Sequence, residues 1–188
     1  MTITPLEAAA FVFTAVNVWL AAKENIWCWP TGIVSVVLYF FVFFKAGLYA
    51  NAGLQVVYLI LSIHGWYEWL HGGENKTELF VSRTPRKQWP LLIGAGVVLT
   101  GLVMVALHWI EGAAQPFWDA ATTAYSLVAQ WMMNKKLVEN WILWILVDVI
   151  YVPLSFYRSL PLTAVLYTGL TFLALKGYLD WKRSLASA

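Results

Sequence analysis

Seven apolar runs of near-constant length dominate this sequence. They fall at 6–22, 28–44, 48–70, 90–109, 117–134, 140–157 and 161–181. A helix of about 20 apolar residues is long enough to cross the hydrocarbon core of a bilayer. Backbone groups in lipid must be satisfied within the protein, which leaves helices as the form open to such runs. The breaks between them carry turn or charge signals: Lys23-Glu24-Asn25, Lys45-Ala46-Gly47, the polar stretch 72–88, Glu111-Gly112, Lys135-Lys136 and Arg158-Ser159. The expected fold is therefore an all-α membrane protein of seven transmembrane helices. Composition agrees: 12% of residues are charged, against roughly 25% in a soluble domain. The first run lacks a basic start and a small-residue cleavage site, so it reads as a membrane helix rather than a cleavable leader.

Basic residues orient the bundle. Alternate connections hold Lys23, then Lys76, Arg83, Arg86 and Lys87, then Lys135 and Lys136, then Lys176, Lys182 and Arg183, ten of the twelve Lys and Arg. The other side holds Lys45 and Arg158. Lys and Arg mark the cytoplasmic side, so the N-terminus is expected outside and the C-terminus inside, which requires an odd number of spans.

Spans one to three resemble spans five to seven. Glu24-Asn25 recurs as Glu139-Asn140 at an offset of 115, which sets Trp29 on Trp144. Lys45 recurs as Arg158 at 113, and GWYEW (65–69) as GYLDW (177–181) at 112, where Asn51 pairs with Thr163 and Gln55 with Tyr167. Two three-helix units point the same way only if one more crossing joins them. The expectation is a 3+1+3 parallel repeat about an axis along the membrane normal: residues 1–71 form the first unit, 72–115 a cytoplasmic loop and linking helix, and 116–188 the second unit.

Several spans carry polar stripes. Asn140, Trp144, Asp148 and Tyr151 are spaced i, i+4, i+8 and i+11, along one helical face. Asp148 then lies about 12 Å beyond Asn140, near mid-membrane. Span five offers Asp119, Thr122, Thr123, Ser126 and Gln130, span three Asn51, Gln55 and Tyr58, span one Thr14 and Asn17, and span seven Thr163, Tyr167 and Thr171. Single Ser and Thr residues usually bond back to their own helix or join helices. A carboxylate in the bilayer costs several kcal/mol by itself, roughly +2.5–3.5 on insertion scales, and no Lys or Arg lies mid-span to neutralise Asp148. A cationic ligand would do so. Trp144 shares its face and offers a wall for stacking or a cation–π contact. Trp29 and Trp131 are possible second walls, and Trp141 reads as an interfacial anchor. Trp66, Trp69, Trp89, Trp109, Trp118 and Trp181 fall near span ends and read as interfacial belt residues.

Other chemistry is not encoded. A net charge of +2 is too small for nucleic-acid binding. One cysteine, Cys28, permits no internal disulfide or cysteine metal cluster. His64, His71 and His108 match no metal spacing. There is no phosphate-binding glycine loop and no nucleophile elbow, and the 72–88 loop is too short for an ATPase domain. Neither enzymatic activity nor a cofactor is expected, and primary active transport by this chain alone is excluded.

FWDAATTAYSLVAQWMMNKKLVENWILWILVDVIYV (117–152), the following FYRSLPLTAVLY, and WPTGIVSVVLYFFVFFKAGLYANAGLQVVYLILSIHGWYEW (29–69) together resemble the PnuC family of bacterial vitamin transporters. The ENWxxWIxVD segment is the specific part. The resemblance implies seven helices in a 3+1+3, SWEET-like arrangement, a homotrimer in the bacterial inner membrane, and facilitated diffusion of nicotinamide riboside, with thiamine or another B vitamin as the alternative; the repeat by itself also leaves open a SWEET-type sugar transporter, which would not need Asp148. The entering vitamin would be trapped by a cytoplasmic kinase that does not bind stably. Carried over residue by residue, the family's WxxW corresponds to Trp141 and Trp144, its preceding Asn to Asn140, and its span-five Gln to Gln130. Some members have Asn at the position of Asp148. Many have Tyr at the position of Pro161, which touches the outer mouth. The expected substrate-binding set is Trp144, Asp148, Asn140, Gln130, Trp141, Tyr151, Gln55, Trp29, Asn51, Thr123 and Tyr167.

Overall fold

The structure is a computed structural model and describes residues 4–108, 116–157 and 161–187. Among them are seven α-helices: α1 (Pro5–Ala22), α2 (Cys28–Lys45), α3 (Tyr49–His71), α4 (Trp89–His108), α5 (Pro116–Asn134), α6 (Asn140–Tyr157) and α7 (Pro161–Ser187). Four stretches are long and apolar enough to cross a membrane on length and composition: Pro5–Ala22, Cys28–Lys45, Arg86–Ala106 and Asn140–Tyr157. α3, α5 and α7 fall short of that mark because they carry many of the polar residues. Trp109, Glu111, Gly112, Arg158 and Ser159, all used in the sequence argument, lie outside the described residues.

Local chemistry sets the helix ends. Thr4 caps α1, its hydroxyl accepting from the Glu7 amide at 3.2 Å, with Pro5 opening the helix and Glu7 in the first turn. α1 and α5 end in the same way. Glu24 (φ 54°) and Lys136 (φ 48°) both take the left-handed conformation. The amides of Glu24 and Asn25 donate to Ala21 and Leu20 carbonyls, and those of Lys136 and Leu137 to Met133 and Met132 carbonyls, all at 3.0 Å. These bonds satisfy the carbonyls that a helix terminus leaves open.

The helices close into a ring in the order α1–α2–α3–α5–α6–α7 and back to α1; α4 lies outside, against α5. Its outward face exposes Leu91, Ile93, Val97, Val98, Leu102 and Val105, the apolar surface a lipid neighbour covers. Helix starts on the two sides of the ring are spaced evenly: α2 begins at 28 and α6 at 140, α3 at 49 and α7 at 161. The spacing is 112 for both pairs, and α1 and α5 end 112 apart, at 22 and 134, so the Glu-Asn match at 115 and the Lys45–Arg158 match at 113 are out of register with the backbone. The left-handed corners decide this: Glu24 corresponds to Lys136, and Trp29 to Trp141 rather than to Trp144.

Close approach depends on two glycines. A Cβ on Gly65 would lie 2.1 Å from the Trp29 ring, and one on Gly177 2.6 Å from the Trp141 ring. The 72–88 loop is folded back. The Leu79 amide donates to the Trp69 carbonyl at 3.1 Å, and Ser82 bridges the α5–α6 corner through Ser82 N–Lys136 O (3.0 Å) and Val138 N–Ser82 O (2.9 Å). The Thr84 amide and hydroxyl both donate to Glu139 Oε2, at 2.8 and 2.7 Å.

Candidate functional site

The ring encloses a cavity of about 350 Å³ lined from all six of its helices and not from α4. That volume lies within the roughly 300–1,000 Å³ of small-molecule sites. One end is the floor, formed by Ala21, Cys28, Trp29, Met133, Trp141 and Ala174 near the α1–α2 and α5–α6 corners. Toward the other end lie Tyr39, Phe43 and Asn51; Asn51 is exposed and forms part of the rim.

Ten of the eleven expected residues line this cavity: Trp144, Asp148, Gln130, Trp141, Tyr151, Gln55, Trp29, Asn51, Thr123 and Tyr167. Asn140 does not. It opens α6, fully buried, and its amide donates to the Leu137 carbonyl at 2.6 Å while its Oδ1 has no partner. Thr14, Asn17, Tyr58 and Ser126, noted in the stripes, also line the cavity, as do Cys28, Ser35 and Tyr39, which the stripes missed. Tyr39 had a usable signal, since it stands 112 residues before Tyr151.

Several hydroxyls and amides in the lining are already engaged. Thr14 and Ser35 hydroxyls lie 2.6 Å apart, Tyr58 bonds Ser126, and Asn17 donates to the Cys28 carbonyl at 2.6 Å. Gln130 donates to Asn134 Oδ1 at 3.2 Å, and Asn134 donates to the Leu61 carbonyl. Tyr151 and Tyr167 stack with ring centroids 4.6 Å apart and planes 7° from parallel. By contrast, the indole N–H groups of Trp29 and Trp141 are buried without a partner, which is costly unless a ligand or water accepts from them. Asp148 is 4% exposed and enters no ion pair among the described residues. Among the described residues it is the one charged group of the lining, and no Lys or Arg joins it there.

Beneath the floor, Trp69 and Trp181 are fully buried, which corrects their reading as interfacial belt residues. They turn inward because α3 and α7 present these faces to the helices across each seam, not to lipid. Trp66 and Trp118 are partly exposed, at 36% and 45%. Lys136, 2% exposed, sits 4.5 Å from the Trp69 ring centroid and 3.8 Å from both Glu24 and Glu78 carboxylates. Burial pulls its ammonium below the ordinary 10.5, and Glu24, Glu78 and Cys28 oppose that pull.

A helical ring around a cavity walled by tryptophans and tyrosines and carrying one buried carboxyl group among the described residues, in a chain with extensive lipid-type surface, is a multi-pass membrane transporter. The family model described as nicotinamide mononucleotide transporter matches residues 4–183, and the chain belongs to that family. It is 29% identical over 204 residues to the nicotinamide riboside transporter PnuC of Escherichia coli, covering 95% of this chain and 85% of the relative. It is 27% identical over 165 residues to the riboflavin/roseoflavin transporter RibM of Streptomyces davaonensis, covering 86% and 77%. Among solved structures, one titled "Crystal structure of the Vitamin B3 transporter PnuC" superposes with a TM-score of 0.77 at 28% identity, over 97% of this chain and 82% of that one.

Proposed function

We propose that this chain carries nicotinamide riboside across the bacterial inner membrane by facilitated diffusion. The observation that carries this reading is Asp148, a buried carboxylate with no ion pair among the described residues, in a cavity walled by Trp29, Trp141 and Trp144. The riboside has a flat cationic pyridinium for the carboxylate and indoles, and ribose hydroxyls that can accept from the free Trp29 and Trp141 N–H groups. The lining also favours the riboside over the mononucleotide of the family's description. A phosphate would meet no Lys or Arg among the described lining residues and would be repelled by Asp148.

The helix spacing of 112, the matched left-handed corners and the ring order support a 3+1+3 parallel repeat of SWEET type, with units 1–71 and 116–188 joined by 72–115. The units rock about the central site to alternate access. The N-terminus lies outside and the floor faces the cytoplasm, as the Lys and Arg asymmetry supports. The working form is a homotrimer, and a cytoplasmic kinase traps the riboside without binding this chain stably.

Proteoliposomes containing only this protein should equilibrate nicotinamide riboside with neither ATP nor an ion gradient, and should leave the mononucleotide outside. A requirement for either energy source would overturn the mechanism. A second reading, a flavin carrier, is favoured by the likeness to RibM; a neutral flavin ring has no use for Asp148, and a binding panel of riboside, thiamine and riboflavin decides between them.

A further inference from the structure

GWYEW and GYLDW lie toward the C-terminal ends of α3 and α7, and the cavity uses neither of their final tryptophans. Trp69 Nε1 donates to the Met133 carbonyl and Trp181 Nε1 to the Ala21 carbonyl, each at 3.0 Å. Donors 69 and 181 are 112 apart, as are acceptors 21 and 133. The first bond spans the α3–α5 seam and the second the α7–α1 seam, so the halves of the ring exchange identical bonds. Four indoles fill the space between: Trp29–Trp69 centroids are 5.2 Å apart, Trp69–Trp181 5.9 Å and Trp181–Trp141 5.5 Å. Glu24 and Lys136 stand at equivalent corners with opposite charge and pair with each other across the halves.

We propose that Trp69 and Trp181 are gate residues, a reciprocal pair of indole latches that hold the cavity floor shut until the two halves of the ring part. This rests on the transport reading above. Separating the halves breaks both indole bonds and the Lys136–Glu24 pair in one movement. The latches can release without damaging the helices. The Met133 carbonyl also accepts from the Lys136 amide, and the Ala21 carbonyl from the Glu24 amide, so neither acceptor is orphaned. One seam carries an additional clasp. Leu79 is bonded to the end of α3, while Ser82 and Thr84 are bonded to the α5–α6 corner.

Cys28, the chain's one cysteine, lines the floor beside Trp29 and reports on the gate. Full-length protein in oriented proteoliposomes is treated with a membrane-impermeant cationic methanethiosulfonate from the side of the α1–α2 and α5–α6 loops. Trp69→Phe and Trp181→Phe keep the ring and remove the N–H. Each should raise the Cys28 labelling rate from that side about fivefold, the scale of one lost net hydrogen bond, and the two should act alike. Labelling from the opposite side should not change. Trp66→Phe, in the same turn as Trp69 but partly exposed, should leave both rates unaltered.

Unchanged loop-side labelling in both latch variants overturns the proposal. So does an equal rise from both sides, or a rise with Trp66→Phe. If one latch variant fails to fold, the other tests the proposal alone. Labelling needs no substrate, so failure of the gate leaves the substrate reading standing, and failure of riboside uptake leaves the labelling result interpretable.

Discussion

Asp148→Asn is the most informative single change, because it should move affinity and stability in opposite directions. The substitution keeps the side chain's shape and removes its charge. At about 5 Å and an effective dielectric near 20, a carboxylate and a pyridinium attract by roughly 3 kcal/mol. Desolvation of the ligand offsets part of that. A net loss of about 1.5–3 kcal/mol remains, or roughly 10- to 150-fold in Kd. The empty protein should meanwhile melt higher, since an unpaired carboxylate no longer sits in a site that is 4% exposed. The decisive assay is a cycle. Native and Asp148→Asn proteins are each titrated with nicotinamide riboside and with its reduced, uncharged dihydro form, using tryptophan fluorescence. The native protein should strongly prefer the cation, and the variant should bind the two forms within about twofold of each other. Equal loss for both forms would mean that Asp148 only shapes the pocket. No loss for either would remove electrostatics from recognition altogether.

Three further outcomes follow from packing and charge. Trp144→Ala should weaken riboside binding by about 1–3 kcal/mol through loss of a stacking wall; a change under about twofold in Kd by calorimetry would take Trp144 out of the site. Gly65→Ala and Gly177→Ala drive a methyl into the Trp29 and Trp141 rings and should each destabilise the detergent-solubilised protein by about 1–3 kcal/mol, read as a lower melting temperature. The folded state releases the Lys136 proton before the unfolded state does, because burial holds that ammonium below 10.5. Its contribution to stability is therefore flat at neutral pH and rises as pH climbs through the folded value toward 10.5; melting curves over that window should lose this rise in Lys136→Met.

Much of the helical frame was legible because bilayer thickness fixes segment length and charged corners interrupt the runs. The stripe of Trp144, Asp148 and Tyr151 was legible for a related reason: a helix holds residues about four apart on one side. Asn140 shares that stripe on paper. It stands at the first residue of α6, where the chain turns a corner, and its amide is taken by Leu137. The tryptophans at helix ends were misread because depth in a membrane does not say which way a residue faces; Trp69 and Trp181 sit at belt depth but point to a neighbouring helix. The repeat register slipped for a different reason. Identical letters, Glu-Asn with Glu-Asn, outweighed the backbone, whereas the equivalent corners hold unlike residues, Glu24 and Lys136. Their shared left-handed conformation is invisible in a sequence that uses no glycine there.

Helices consecutive in the chain within the ring belong to the same half, and both seams are closed by contacts alone. The outer helix α4, with its two flanking connections, is thus the one covalent bond of necessity between halves. It works as a tether of fixed stoichiometry: it guarantees that each first half meets one second half, in the correct sense, within the same polypeptide. A gene severed in that tether would still encode both walls of the cavity, and what it would lose first is the certainty of their pairing.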